Sequence, residues 1–533
     1  MRSLTRAAVA AIALAGASIL SPALADTQPK QGGAVVVTFK DDLATLDPAV
    51  GYDWQNWSII KSIFSGLMDY KPGTTELMPD LAESYTIADD GLTYTFTLRP
   101  NLKFHNGRAV TAADVKYSIE RAVNPKTQCP GAGYFSMIKG YDDAAAGKTT
   151  DISGIKTPDD KTVVFTLNHP DATFLHIMAI NFAFVVPKEE VAKYGADFGH
   201  HPVGTGAFQF GEWELGQKLV LNRFKDYHRP GVPYLDQITF EFGQEPTVAL
   251  LRLKKGEVDI LGDGIPPAQF LQVTGDPANK DLYVRGEQMH TGYVTLNVKV
   301  KPFDNLKVRQ AVAYAIPYQK IMDAVLFGLS KPMFGAPAGK PLEVAWPQPH
   351  SYNTDIYKAK KLMAEAGYPD GFETTLSFDL GFAGVNEPLC VLTQESLAQI
   401  GIKCTINKIP GATWRTELNK KVLPLYTNVF SGWLDYPEYF FIWCYHGKNS
   451  IFNTMSYQSK TLDSFVDGAV TAAANGDKAA YEKDVKGFVE TAFADMPRIP
   501  IFQPYVNVAM QKNVTGYQYW FHRRLDYRAF EKG

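Results

Sequence analysis

The sequence predicts an α/β protein built from at least two lobes. The chain has 533 residues, more than one hydrophobic core usually organises. Its second half alternates strand patterns with helical patterns, which is typical of a mostly parallel sheet with crossover helices. Part of its first half instead carries alternating strands separated by turn signals, which is typical of antiparallel hairpins. The two patterns predict lobes of different construction.

The N-terminal segment reads as a secretory signal peptide. Arg2 and Arg6 form a basic start, residues 7–20 carry no charge, and Ala23 and Ala25 form a small-x-small site that predicts cleavage after Ala25. The uncharged run is short for a transmembrane helix, and no cysteine follows the cut to accept a lipid. We therefore expect an exported periplasmic protein without a lipid anchor. The alternative is that this segment stays as a membrane helix.

The first half contains a small hairpin sheet with a capped helix between its strands. Residues 92–98 and 161–167 alternate apolar and polar side chains, as half-buried strands do. Thr111 and Asp114 have the spacing of a capping box, which predicts a helix over residues 111–123 that stops before an Asn-Pro pair.

In the second half, predicted strands are separated by predicted helices and not by hairpin turns. The predicted strands are residues 374–380, 402–406 and 425–430, and the predicted helices are 306–327, 355–366 and 387–400. Gly401 ends the last of these helices. This order indicates crossover connections and a mostly parallel sheet.

Composition narrows the range of partners. The formal net charge is −3, and no basic block is present, so nucleic acid is not an expected partner. The chain contains 27 Tyr, 32 Phe and 8 Trp. These rings could supply stacking surfaces in a cleft, or they could simply fill a large core.

Four cysteines remain after processing: Cys129, Cys390, Cys404 and Cys444. The periplasm permits disulfides. Cys390 lies in a predicted helix and Cys404 on the following strand, so a bond between them is one interpretation. The other is that they pack as buried free thiols.

Short motifs that are weak alone follow one another in a definite order along most of the chain. They are Thr45-Leu46-Asp47-Pro48, Ile63-Phe64-Ser65-Gly66-Leu67, Pro79-Asp80-Leu81-Ala82-Glu83-Ser84, residues 89–99, Lys103-Phe104-His105-Asn106-Gly107, Pro202-Val203-Gly204-Thr205-Gly206, Gly256-Glu257-Val258-Asp259-Ile260 and Pro302-Phe303-Asp304-Asn305. In this order they resemble the family 5 extracellular solute-binding proteins, the dipeptide- and oligopeptide-binding proteins of bacterial ABC importers. Pro317 departs from the family pattern, which usually has aspartate there.

The resemblance implies a two-lobed periplasmic binding protein of class II, or cluster C, with a ligand cleft that closes by a hinge. It also implies an extra subdomain in the first lobe. The implied division is a signal peptide at 1–25, a first-lobe core at 26–50, 200–290 and 499–533, an extra subdomain at 51–199, and a second lobe at 291–498.

The resemblance also implies a site for a ligand amino group in the segment that begins at Trp433. Asp435 matches the family's aspartate that holds a peptide amino terminus, with Trp433, Tyr436 and Tyr439 around it. A desolvated carboxylate facing an ammonium forms a charge-assisted hydrogen bond, and aromatic neighbours add cation–π contact. The alternative is an Asp-Tyr-Pro turn whose carboxylate caps backbone amides.

Further ligand contacts are expected from two other places. Tyr52, Asp53 and Trp54 occupy a loop that faces the cleft in relatives, or they form an exposed loop cap. Tyr293 and Asn297 lie at the crossing between lobes, where they either bind the ligand or serve the sheet. Carboxylates facing aromatic rings favour an amine or a peptide over a purely anionic ligand.

We therefore expect a monomeric solute-binding protein that delivers a short peptide or related amine to an ABC import permease through transient contact. No cofactor is expected. The alternative solute is an opine, sugar, polyamine, metal complex or haem. The histidines available for a metal complex or haem are His200, His201, His446 and His522, and their spacing is not that of metal ligands. A secreted hydrolase is a distant alternative, because no Gly-x-Ser-x-Gly, His-Glu-x-x-His or phosphate-loop motif is present.

Overall fold

The computed structural model describes residues 29–51, 54–280, 282–287, 290–332, 352–431, 444–448, 452–518 and 525–533. Its strands are β1 (Ala34–Thr38), β2 (Met68–Tyr70), β3 (Leu77–Pro79), β4 (Ala82–Ile87), β5 (Thr93–Leu98), β6 (Ile155–Lys156), β7 (Thr162–Thr166), β8 (Phe208–Glu214), β9 (Lys218–Arg223), β10 (Gln237–Glu241), β11 (Ile260–Leu261), β12 (Tyr283–Glu287), β13 (His290–Leu296), β14 (Ser330–Pro332), β15 (Phe372–Asp379), β16 (Ile402–Ile409), β17 (Leu425–Ser431), β18 (Arg498–Met510), β19 (Val514–Thr515) and β20 (Glu531–Lys532).

The α-helices alternate with these strands and cover their faces. They are α1 (Trp54–Ile63), α2 (Ala112–Val123), α3 (Tyr141–Ala145), α4 (Phe174–Ile177), α5 (Lys188–Tyr194), α6 (Pro246–Lys255), α7 (Pro267–Gly275), α8 (Leu306–Ala315), α9 (Tyr318–Ala324), α10 (Ile356–Glu365), α11 (Ala383–Ala398), α12 (Gly411–Asn419), α13 (Lys460–Ala474) and α14 (Lys478–Asp495). Within the described ranges, no helix has the length and apolar character that crossing a membrane requires. The mixed α/β class is confirmed.

The largest sheet has twelve strands, ten of them in the order β16-β15-β17-β13-β18-β11-β1-β10-β9-β8. Its centre is β18, which pairs with β13 through its first residues and with β12 and β11 through its last. One continuous strand therefore belongs both to the sheet of the second half of the chain and to the sheet that contains β1.

The expectation of a mostly parallel sheet in the second half is only partly right. β15 pairs in parallel with β16 and β17, but β13 pairs antiparallel with β17 and with β18. The crossover helix α11 explains the parallel pair β15–β16, because strands joined by a crossover helix run in the same direction. β13 and β18 come from distant parts of the chain, and that constraint does not apply to them.

The hairpin sheet and its capped helix are confirmed. β4, β5, β7 and β6 form a four-stranded antiparallel sheet. The backbone N–H of Thr111 donates to Asp114 Oδ2 over 2.9 Å, which is half of the expected capping box, and α2 ends at Val123. The single helix predicted over residues 306–327 is wrong. It is divided into α8 and α9 at Pro317, since proline cannot continue the helical hydrogen bonds.

Three large clusters of buried apolar side chains form the core. The first surrounds the β4–β7 sheet and α2, the second packs α8 and α11 against β15–β17, and the third packs α1 against β1, β9 and β10. Phe452, from the second half of the chain, belongs to the first cluster, so the two halves touch there. The residue boundaries implied by the resemblance stay a prediction.

Three of the motifs meet at one junction beside α1. His105 donates its backbone N–H to Gly204 O over 2.9 Å, and its ring Nε2 lies 3.0 Å from Gly206 O. A Cβ on Gly204 would lie 2.1 Å from Ile63 O, and one on Gly206 would lie 2.4 Å from Ser62 O. Only glycine fits at both positions. The motifs that carry the resemblance therefore build the scaffold here.

A buried ionic network joins the first half of the chain to its C-terminal end. Asp69 Oδ2 lies 3.0 Å from Arg528 Nη1 and 3.3 Å from Arg229 Nη2. Asp80 accepts from Arg229 over 3.0 Å and lies 2.6 Å from His228. Burial raises the pKa of Asp80, but Arg229 and His228 outweigh burial and hold that pKa at about 2. The charges of this network are mutually compensated.

The buried ring of His105 predicts that the folded protein loses stability in acid. Burial lowers the pKa of His105 to about 4, whereas an unfolded chain titrates near the ordinary value of about 6.5. The unfolded state therefore binds more protons between these values, and stability is lost as pH falls through this window, by about 3 kcal/mol at its lower end. Urea unfolding of wild type and His105→Gln from pH 7.5 to 4.5 measures this loss of stability. The glutamine variant should lose less stability than wild type.

His169→Gln, at an exposed histidine, is the matched control and should follow the wild-type curve. Identical pH dependence in wild type and His105→Gln would show that the buried ring does not contribute.

The glycine contacts predict a steric cost. Gly206→Ala should lower the free energy of unfolding by about 1–3 kcal/mol, since its new methyl group meets the backbone of α1. Gly275→Ala is the control, because no atom lies within 4 Å of a Cβ at that position. Thermal unfolding of both variants checks the difference, and equal stability of the two would refute the packing account.

Candidate functional site

Few of the side chains predicted to contact the ligand belong to the described residues. Trp433, Asp435, Tyr436 and Tyr439 lie outside the described residues, and so does the pair 52–53. Trp54 begins helix α1, and its side chain is also outside the description. The ligand roles of these residues stay predictions. Tyr293 and Asn297 are described, and their contacts differ.

Asn297 serves the backbone. It is completely buried, its Nδ2 donates to Lys421 O over 2.8 Å, and its Oδ1 accepts from Lys299 N over 3.2 Å. Both ends of the carboxamide are therefore engaged in holding the chain after β13. These contacts support the structural interpretation of Asn297, and no described contact supports a ligand role.

Tyr293 lies in a polar and aromatic cluster on the central strands. We define the central cluster as Tyr293 of β13, Tyr426 of β17, Arg498 of β18, and Cys444 and Tyr445, which follow β17 in the chain after residues 432–443. The Arg498 guanidinium carbon lies 4.2 Å from the centroid of the Tyr293 ring and 5.6 Å from that of Tyr445. The described residues therefore place Tyr293 beside a buried cation.

The register of the central sheet produces this arrangement. Arg498 is the first residue of β18 and pairs with Thr295, two residues from Tyr293 on β13. Tyr426 also pairs with Thr295, from the opposite side of β13. Side chains two residues apart on a strand point to the same face, so three neighbouring strands bring their groups together.

The other members of the central cluster are uncharged at neutral pH. Burial raises the pKa of Tyr293, Tyr426 and Cys444 above their ordinary values, and it raises the pKa of Tyr445 to about 12. Tyr426 is 1% exposed and its hydroxyl lies 2.5 Å from Thr454 Oγ1. The cluster therefore combines aromatic faces, neutral hydroxyl and thiol groups, and one cation.

Arg415 of α12 brings a second cation to this region. Its guanidinium carbon lies 5.3 Å from the Phe452 ring centroid. Burial raises the pKa of Tyr293, and the charge of Arg415 is a smaller effect that opposes this rise. Two cations and several rings can hold a flat or anionic group, through cation–π contact and charge-assisted hydrogen bonds.

Arg498 was not among the site residues predicted from the sequence. The signal was a charged residue within the apolar run from Met496 to Ile501, since arginine is rarely fully buried without a partner. An arginine inside a strand pattern reads equally well as an exposed position, and only the sheet register places it in the interior.

The Cys390–Cys404 disulfide is contradicted. All four cysteines are buried free thiols. Cys390 Sγ lies 3.8 Å from Thr427 Oγ1 of β17, while Cys404 lies on β16 at the far edge of the sheet. Helix α11 directs Cys390 toward the middle of the sheet, so both residues act as small buried hydrophobic groups.

The histidines considered for a metal complex have other contacts. His200 Nδ1 lies 2.7 Å from Asp197, and His201 Nε2 lies 3.2 Å from the same carboxylate. His446 Nδ1 accepts from Lys448 N over 3.1 Å, and its Nε2 lies 3.2 Å from Asp467. His522 lies outside the described residues. Among the residues that the structure describes, no group of three His, Cys, Asp or Glu side chains could hold a metal ion.

Comparison with known proteins places this arrangement in a family. The family profile of the bacterial extracellular solute-binding proteins, family 5 middle region, matches residues 76–452. The glutathione-binding protein GsiB of Salmonella typhi is 31% identical over 519 residues, which cover 96% of this chain and 95% of that protein. The Escherichia coli K12 protein of the same name is 30% identical over 526 residues, covering 97% and 96%.

Solved structures agree with the fold. The periplasmic binding protein AgaA of A. tumefacien R10, in complex with agropinic acid, has a TM-score of 0.80 and 27% identity, and the match covers 94% of this chain and 99% of that one. The ABC transporter-associated periplasmic binding protein DppA of Helicobacter pylori, in complex with the peptide STSA, has a TM-score of 0.81 and 26% identity, covering 94% and 98%. The two-lobed binding-protein architecture is thus confirmed, and the chain belongs to the bacterial extracellular solute-binding proteins of family 5.

Proposed function

We propose that this protein binds a short peptide or peptide-like solute in the periplasm and delivers it to an ABC import permease. The observation that carries the proposal is full-length relatedness, at 31% identity, to proteins named for glutathione binding. Glutathione is a tripeptide with an ammonium group and two carboxylates. The structural relative that holds the peptide STSA supports the same class of solute.

The described cluster is chemically suited to such a solute. Peptide-like molecules carry a cationic end and an anionic end, and each needs a compensating charge once water is removed. The two arginines near Tyr293 lie on described elements, and Asp435 follows β17 closely in the chain. We propose that Asp435 holds the solute ammonium, with Trp433, Tyr436 and Tyr439 around it, and that Tyr52, Asp53 and Trp54 add contacts from the first lobe.

The binding role is proposed to involve no catalysis, in line with a family of solute-binding proteins. We further propose a monomer that is processed after Ala25 and meets its permease transiently. Intact-mass measurement of protein from the periplasm checks the cleavage site, because retention of residues 1–25 would change the mass by a known amount.

An opine-like acid is the second candidate solute. The observation that favours it is the 27% identical relative in complex with agropinic acid. The fold is reused for many solutes, so the architecture alone does not choose between them. A solute identified directly from the purified protein decides between the two.

The amine-binding role of Asp435 predicts a large loss on neutralisation. Asp435→Asn keeps the shape of the side chain but removes its charge, so affinity for glutathione or trialanine should fall about 10- to 100-fold. Isothermal titration calorimetry measures the affinity, and mass spectrometry of gently unfolded protein identifies solutes that co-purify. Peptides or primary amines should be present in wild type and depleted in the variant.

Asp323→Asn, at an exposed position on α9, is the matched control and should bind as wild type does. A sugar, haem or metal complex in the wild-type protein would refute the peptide proposal. Unchanged affinity in Asp435→Asn would refute the amine-binding role alone.

A further inference from the structure

Arg498 is a buried cation to which the described part of the chain offers no counter-ion. Its side chain and backbone together are 6% exposed, and its Nε has no hydrogen-bond acceptor. Among the described residues, no carboxylate lies within 4.0 Å of the guanidinium, which faces tyrosine rings instead. Its immediate neighbours in the central cluster are uncharged at neutral pH, so nothing described there compensates its charge.

The other buried arginines of the described chain behave differently. Arg309 donates to three backbone carbonyl oxygens, at 2.7, 3.0 and 3.1 Å. Arg528 donates to the carboxylates of Asp526 and Asp69. An arginine remains charged when it is buried, so it requires acceptors in the interior. Within the described ranges Arg498 has no oxygen acceptor, unlike Arg309 and Arg528.

A second donor without an acceptor among the described residues lies near Tyr426. Trp414 Nε1 of α12 is buried and has no acceptor, and the Trp414 and Tyr426 rings are 6.1 Å apart. Among the described residues, Arg498 Nε and Trp414 Nε1 are thus two buried N–H donors without an acceptor. A bound group that accepts hydrogen bonds would satisfy them.

We propose that Arg498 binds a carboxylate of the transported solute, with the rings of Tyr293 and Tyr445 as the walls of this subsite. The proposal rests on the solute-binding role proposed above and specifies the class of solute as one that carries a carboxylate. A carboxylate compensates the single charge of Arg498. The planar guanidinium also matches the planar carboxylate in two parallel hydrogen bonds.

The solutes named for the relatives are compatible with this class. Glutathione, the peptide STSA and agropinic acid all carry a carboxylate.

The first test compares an acid with its amide. Trialanine and trialanine amide have the same ammonium end, so their affinity ratio isolates the carboxylate. Wild type should bind the acid about 10- to 100-fold more tightly, and Arg498→Met should bind both equally. Arg498→Lys, which keeps the charge but not the planar guanidinium, should retain part of the preference for the acid. Arg252→Met, which removes a surface ion pair with Glu241, is the control and should keep the full ratio.

The second test needs no assumption about peptides. Solutes that co-purify with wild type, identified by mass spectrometry, should carry a carboxylate and should be lost from Arg498→Met. The solute-free Met variant should also melt at a higher temperature than solute-free wild type, because a buried unpaired charge has been replaced by an apolar group. If the Met variant does not fold, the Lys variant provides both comparisons.

The outcomes separate the two proposals. Equal binding of acid and amide by wild type would overturn the Arg498 subsite and leave the peptide function standing. A wild-type protein that ignores peptides but carries another carboxylic acid, which Arg498→Met loses, would refute the peptide function and support the subsite. Co-purifying solutes without a carboxylate would overturn the subsite.

Discussion

The architecture depends on the hydrogen-bond ladder of β18. This strand has 13 residues and so extends about 43 Å. It pairs in turn with β13, β14, β12 and β11. A single strand shared by two parts of a sheet fixes their register, because a shift of one residue would reverse every side chain. The position of Arg498 beside Tyr293 is a direct consequence of this register.

The family motifs and the candidate binding groups lie in different places. His105, Gly204 and Gly206 form a tightly packed junction against the end of α1, where even one methyl group would meet backbone. The central cluster instead contains a buried donor without an acceptor, Arg498 Nε, and a guanidinium that no described carboxylate compensates. Close packing is expected where a scaffold must be rigid, and unsatisfied polar groups are expected where a partner binds.

Local patterns predicted much of the fold. Alternation gave β5 and β7, and the Thr111–Asp114 spacing gave the start of α2, because both signals depend on neighbouring residues only. Pro317 could have indicated that the helix predicted over residues 306–327 is divided, but the prediction did not use this signal. Local patterns do not contain contacts between residues about 200 apart, and the pairing of β13 with β18 and the site at Arg498 depend on such contacts. They also do not contain the direction of helix α11, which keeps the thiols of Cys390 and Cys404 apart. Asn297 was expected at the crossing between lobes, either as a ligand contact or in the sheet, and its backbone contacts support the second interpretation.

Hydrogen–deuterium exchange of the purified protein, before and after its solutes are removed, tests most directly whether scaffold and site are separate. The account predicts that solute removal increases exchange in β13, the end of β17, residues 444–448 and the start of β18. Exchange at residues 63–66, 104–107 and 204–206 should stay the same. Increased exchange at the motif junction, with no change in the three central strands, would contradict the account.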